Sequence, residues 1–333
     1  MTSIRATSSA AALFLLLATS FSCGKPALPG TVRVAIGAQQ SPSQLLVYLA
    51  RELAYFQACG IGPEIAEFPG SGKALEALLG GSIDVVSGYH EQTMQLPAGA
   101  PALRSFVAMT NGHMVALAVS PRATGIERVD QLPGRTIGVT TLGSATHLWL
   151  RFLLALRGIA PDAVTPIAIS TAGRAVAAME NGVVDAGVVS DFTVRTLDQR
   201  FGATRILADT RTPETARAFY GVDQYPGTTL FARRDWLASH PSEARQLACA
   251  VGRAREWALS HTAAEVVARL PASDRGPDPA LYTEVIRLTL PMLTPDGRIT
   301  PAGAAAARQL AQSSRDAADS YTNEFVDSLL PNR

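Results

Sequence analysis

Two hydrophobic rhythms alternate along the first half of this chain. TVRVAIG, residues 31–37, is a short β-branched run of the kind that forms a strand buried on both faces. Behind it Leu46, Leu49, Leu53 and Phe56 recur at helical spacing, with Ser41 or Ser43 placed to cap the start. PEIAEF then predicts a second strand, SGKALEALLGG a helix closed by glycine, and IDVVSGY a third strand. This is a βαβαβ unit, in which right-handed helical crossovers join parallel strands.

The same order returns further on. RTIGVTT, SATHLWLRFLLALRG, VTPIAIS, GRAVAAMENG and VDAGVVS read as strand, helix, strand, helix, strand. The opening strands lie about 104 residues apart, and Asp84 and Asp185 hold matching places before the third strand of each unit. Next, FGATRILAD predicts a strand ending at Asp209, and GTTLFAR one that returns to the first unit. Amphipathic helices follow, the first with Ala248, Val251, Ala254, Trp257 and Ala258 on one apolar face. The expected class is therefore α/β with two similar lobes. Lobe I is discontinuous, 31–113 and 220–333, and lobe II is the insert 114–219; segments near Asn111 to Ala116 and Thr210 to Thr228 form the hinge. Ligands of open α/β sheets bind beyond the carboxyl ends of the strands, so two such lobes face to face enclose a cleft.

Charge narrows the partners. With 29 basic against 28 acidic side chains and no basic run carrying aromatics, nucleic acid is not expected. The first 22 residues have the layout of an export signal: Arg5, the apolar run 10–18 and a small-residue stretch before Cys23. Cys23 stands where bacterial lipoproteins are acylated, so a lipid anchor is expected there; Ser20-Phe21-Ser22, the alternative, also suits ordinary cleavage. Cys59 and Cys249 either bridge or lie as two buried thiols, and their helical surroundings tip the reading toward thiols. No Cys/His cluster has metal-ligand spacing, so neither metal nor cofactor is expected.

Several stretches carry a likeness. ARELAYF followed by Gly60-Ile61 resembles the A-x-E-x-G-x-F…G-L stretch of the nitrate/sulfonate/taurine-type periplasmic substrate-binding proteins of ABC transporters, a family that shares its fold with thiamin-pyrimidine-precursor proteins. QLPGRTIGVTTLGSATH, YPGTTLFARRDWLASHP and TPDGRITPAG agree in the same order, so the resemblance covers about residues 31 to 312. Ala54 stands where the family has Gly, a difference that a helix end is expected to tolerate. The resemblance implies a type II periplasmic-binding-protein fold, a monomer that closes on a small molecule and hands it to a membrane permease with its ATPase. Closure follows ligand only if the ligand touches both lobes, because equal binding to open and closed forms shifts nothing.

Candidate ligand residues sit at the strand ends. Thr141, Gly143, Ser144, Ala145 and Thr146 link a strand end to a helix start, where free N–H groups and hydroxyls suit a carboxylate or sulfonate. Ser71, Gly72 and Lys73 form the matching turn of lobe I; GSGKA fails the P-loop pattern, so ATP is rejected, and Lys73 either faces an anion or is a solvated helix start. Gln39 or Gln40 is expected at the cleft mouth, Tyr89 to stack on a planar ligand and His90 to bond to it. Asp191, after Ser190, either receives an amine or ring N–H or caps a helix, and Tyr225 lines the hinge side. Without a Cys cluster, a G-x-S-x-G elbow or H-E-x-x-H, an enzyme is not expected. Small organic acids, sulfonates and heteroaromatics remain equal candidates, and a sensor lobe reporting to a membrane partner is the alternative class.

Overall fold

Alternating strands and helices settle into two sheets of the same design. The computed structural model describes residues 31–37, 41–276 and 278–329, and from Val32 onward they form a single contact unit. The first sheet begins with β1 (Arg33–Ile36), β2 (Glu64–Glu67) and β3 (Val85–Tyr89), connected through α1 (Leu45–Glu52), α2 (Tyr55–Ala58) and α3 (Ser71–Leu79). Val34 of β1 stands opposite Ile65 on one side and Val85 on the other, both pairings parallel. β4 (Leu103–Ala108), for which the periodicity argument makes no prediction, is the far edge.

The chain then crosses to the second sheet. This comprises β5 (Val115–Val119), β6 (Thr136–Val139), α4 (Ala145–Leu156), β7 (Thr165–Ala168), α5 (Ala172–Glu180), β8 (Ala186–Ser190), α6 (Asp191–Phe201) and β9 (Ile206–Asp209). After α7 (Pro213–Tyr220) it returns as β10 (Thr228–Arg233), antiparallel to β3 and β4, with Leu230 opposite Ser87 and Val107. The strand orders are β2-β1-β3-β10-β4 and β7-β6-β8-β5-β9. In each sheet the fourth strand is the one whose chain arrives from the other sheet. Two βαβ lobes with mixed sheets, joined by two segments, are therefore the observed architecture.

Those two crossings touch. Asn111 and Pro226 form an antiparallel bridge, the Gly112 N–H donates to the Tyr225 carbonyl at 2.9 Å, and the Gly227 N–H donates to the Thr110 carbonyl at 2.9 Å. A Cβ at Gly227 would lie 1.9 Å from the Gly112 carbonyl oxygen, so no other residue permits this approach.

The repeated aspartates have a structural reason. Asp84 accepts the backbone N–H of Arg33 at 2.9 Å and pairs with the Arg33 guanidinium at 2.6 Å. Asp185 does the same at β6, accepting the Thr136 N–H at 2.8 Å and pairing with Arg135 at 3.3 Å. Each carboxylate thus fastens the turn before a third strand to the start of a first strand. Two sequence expectations are corrected nearby. Ala54 adopts φ 54, the left-handed conformation that favours glycine, so alanine there costs roughly 1 kcal/mol rather than being neutral. Cys59 and Cys249 are a disulfide with Cα atoms 6.1 Å apart, not two thiols. The reason is tertiary: α8 (Arg234–Ser239) leads into α9 (Pro241–Leu259), and α9 packs on α1 and α2 through Ala248, Val251, Ala254 and Ala258, which brings together cysteines 190 residues apart. Closing so long a loop stabilises by about 2–5 kcal/mol.

Among the described residues no helix is long and apolar enough to cross a membrane. The export signal, Cys23, Gln39 and Gln40 lie outside the described residues.

Asp84→Asn keeps the shape but not the charge. Burial pushes the Asp84 carboxyl up, yet the Arg33 hydrogen bonds and charge outweigh it and hold the group below its usual range. Its contribution is complete above the ordinary carboxylate pKa, near 4, and is lost as pH falls through the lower folded value. The variant should be about 1–3 kcal/mol less stable in urea unfolding at pH 7, with the difference from wild type shrinking in acid. Equal unfolding midpoints at pH 7 would refute this role.

Candidate functional site

At the carboxyl ends of β1 and β3 and of β6 and β8 the chain turns into helices that face one another across a narrow cleft. Gly37, Ser43, Ser71 and Tyr89 line it from lobe I; Thr140, Ser144, Ala145, Thr146, Ser170, Thr171 and Ser190 line it from lobe II. His113 and Met114, on the crossing segment, close its base. The space left is about 40 Å³, room for a few waters or one compact polar group.

The mouth is shut by contact between the lobes. A Cβ added to Gly70 would stand 3.0 Å from the Thr141 Oγ1 and 3.1 Å from its Cγ2, and one on Gly72 would stand 3.3 Å from the same oxygen. This is a closed cleft, and the glycines at 70 and 72 are what let the two rims meet.

Helix starts give the cavity its electrostatics. α3 begins at Ser71, α4 after Ser144, α5 after Thr171 and α6 after Ser190, so four helices of nine residues or more direct their N-termini at one space. Each start carries unpaired N–H groups and about half a positive charge, and an anion gains roughly 0.3–1 kcal/mol from each. Neither Ser144 nor Ser190 caps its own helix. The Ser144 hydroxyl instead lies 2.9 Å from the Thr146 hydroxyl, which accepts the Thr140 N–H at 2.8 Å. No charged side chain lines the cavity among the described residues. The expected cap at Ser41 is absent too.

Backbone strain gathers here. Five described non-glycine residues have φ in the left-handed range, and Met114 (φ 54), Ser170 (φ 63) and Ala172 (φ 48) of these line the cavity. Such conformations cost about 1–3 kcal/mol each and are held where the surroundings demand them.

Of the residues singled out in the sequence, the structure brings together Ser71, Tyr89, Ser144, Ala145, Thr146 and Ser190. The others stand apart. Thr141, Gly72 and Gly143 belong to the rims, with Gly143 at φ +78 in the loop before α4. Lys73 is exposed and pairs with Glu76 at 2.7 Å. His90 is fully buried away from the cavity between the Ser105 and Ser320 hydroxyls, and burial pushes its pKa down to about 3, so the ring stays neutral. Asp191 neither caps α6 nor faces the cavity: it is the first residue of that helix, its carboxylate held by Arg195 at 2.5 Å and Arg211 at 2.7 Å. Tyr225 is buried at the hinge, stacked on Tyr220 with centroids 3.9 Å apart. Tyr89 stacks on His113, centroids 4.8 Å apart, and burial pushes its phenol up to about 12.

Sequence reasoning missed Ser170 and Thr171, although they occupy in the second unit the turn that Gly70 and Ser71 occupy in the first. It also missed His113, whose signal is tertiary. His113 Nε2 lies 2.7 Å from Glu91 Oε1 and its Nδ1 lies 2.6 Å from the Tyr220 hydroxyl, with Glu91 and His113 side chains fully buried. No group of His, Cys, Asp and Glu among the described residues could hold a metal ion.

Comparison with known proteins places this geometry. The model of the NMT1-like family matches residues 28–272. A solved protein of Bordetella bronchiseptica RB50 is 32% identical, with TM-score 0.84, over 90% of this chain and 96% of that one. The alkanesulfonate-binding protein SsuA of Xanthomonas axonopodis pv. citri, bound to MOPS, is 23% identical with TM-score 0.67 over 86% and 93% of the two chains. The periplasmic nitrate-binding protein NrtA of Synechocystis PCC 6803 is 14% identical with TM-score 0.68 over 90% and 87%. No curated protein matches the sequence. The fold is thus that of periplasmic binding proteins.

The rim contact yields a direct check. Gly70→Val places branched carbons against Thr141, so it should hold the cleft open and weaken ligand binding at least tenfold while changing unfolding stability by less than about 1 kcal/mol. Titration calorimetry together with urea unfolding separates the two effects; unchanged affinity would show that the rims need not meet.

Proposed function

Because the chain belongs to the NMT1-like family, we propose that it is the extracytoplasmic substrate-binding protein of an ABC importer, capturing a small organic anion between its lobes. The observation that carries this reading is the cavity itself, where four helix N-termini and a set of hydroxyls meet without any charged side chain among the described residues. Backbone N–H groups suit a spread oxyanion, and the absence of a fixed cation favours a sulfonate or carboxylate head over a dianion. The alkanesulfonate- and nitrate-binding proteins of the same fold support the choice.

This reading assigns the ligand to Ser71, Tyr89, Ser144, Ala145, Thr146 and Ser190, together with His113, Ser170 and Thr171, because all nine line the cavity. Contacts from both sheets make closure ligand-dependent. In this reading lobe II is 114–219, lobe I is 31–113 with 220–333, and a permease with its ATPase receives the ligand. The monomer reaches its membrane by export, with a lipid on Cys23 as anchor. Binding without catalysis fits a cavity whose titratable side chains among the described residues, Tyr89 and His113, are buried and internally hydrogen-bonded.

Thermal unfolding of the protein from Gly24 onward, against short alkanesulfonates, aromatic sulfonates, organic acids and neutral heteroaromatics, tests this. An anion at roughly 100 times its dissociation constant should stabilise by about 2.7 kcal/mol. Ser144→Ala should weaken binding about fivefold, the worth of one hydrogen bond, while Lys73→Ala leaves it unchanged. Stabilisation by neutral compounds alone would overturn the anion reading.

A further inference from the structure

The base of the cavity is built from a buried acid and a buried base. His113 lies on the crossing segment and forms part of the cavity wall, only 1% exposed. Its Nε2 faces Glu91, its Nδ1 faces the Tyr220 hydroxyl, and Tyr89 stacks on its ring. Tyr225, tilted against the ring at 5.5 Å, completes the titratable groups around it, its hydroxyl 3.5 Å from the second Glu91 oxygen. Burial raises the three phenols above their usual range, so they stay neutral. The charge at the base is therefore set by Glu91 and His113 together: one negative charge when the imidazole is neutral, none when it holds a second proton.

An anion entering this cavity meets no cationic side chain among the described residues but does meet that pair. Asp191, behind Ser190, is already matched by Arg195 and Arg211. In a buried site, an anion beside a net negative pair is unfavourable, and a proton on the pair removes the conflict. The network accepts that proton without losing a bond. Nε2–H continues to donate to Glu91, Nδ1–H donates to the Tyr220 oxygen, and the Tyr220 hydroxyl turns toward the neighbouring Thr210.

We propose that His113, backed by Glu91, serves as the cavity's proton-supplied cation, so that the ligand binds as an anion together with one proton. Glu91 and Tyr220 are positioning residues that hold the imidazole and receive its two N–H groups. The proposal rests on the anion-binding reading above and deepens it. Affinity should be highest in acid and weaken as pH rises, approaching about tenfold per pH unit where uptake is complete.

Titration calorimetry on the mature protein with ethanesulfonate, propionate and benzenesulfonate tests it. The expected result is binding of at least one probe with buffer-dependent heats corresponding to uptake of up to one proton, and affinity that falls as pH is raised. Glu91→Gln, close in shape, neutralises the pair without a proton; it should bind more tightly than wild type at the alkaline end and lose most of the pH dependence. A role in packing alone would not give that gain. Binding with no proton uptake and flat affinity, or a Glu91→Gln protein with the wild-type slope, overturns the proposal while leaving anion binding intact. No heat with any of the three probes overturns the anion reading itself, and the proposal with it.

Discussion

Everything in this molecule that concerns ligand depends on one close approach, that of Gly227 to the Gly112 carbonyl where the chain crosses between the sheets for the second time. With no side chain in the way, the two crossings bond to each other directly. Each then delivers the fourth strand of the sheet it enters, β5 to one and β10 to the other. The carboxyl ends of the parallel strands consequently open toward the same space.

From that arrangement the site's chemistry follows with little help from side-chain charge. A helix that follows a parallel strand starts at the strand's carboxyl end, so two matching lobes direct their helix N-termini toward each other. Serines and threonines at those starts supply hydroxyls that do not cap their own helices at Ser144 and Ser190. The buried Glu91, His113 and Tyr220 chain sits where lobe I meets both crossings, tying the floor of the cavity to the hinge.

Much of the fold was legible from periodicity. The β-branched runs at β1, β3, β6 and β8 and the recurrence of Asp before the third strand gave both units and their order, because local patterning and crossover handedness restrict the alternatives. β4 escaped, as a strand whose partner arrives more than a hundred residues later. The cavity lining was legible where it repeats a local rule, as at Ser71, Ser144 and Ser190, all at helix starts. It was not legible where the determinant is tertiary. His90 and His113 look alike in sequence, yet one is enclosed by serines and the other faces the cavity. Asp191 looked available until Arg195 and Arg211 were seen to hold it. Cys59 and Cys249 gave no spacing signal, since only the packing of α9 on α2 brings them together.

The most direct measurement is a crystal structure of the mature protein with a bound short alkanesulfonate. The account predicts sulfonate oxygens within hydrogen-bonding distance of backbone N–H groups at the starts of α4 and α6 and of the Ser71 hydroxyl, with His113 at the base and the Gly70 and Thr141 rims in contact. A sulfonate held instead by an arginine or lysine outside this cavity, or bound with the rims apart, would contradict it.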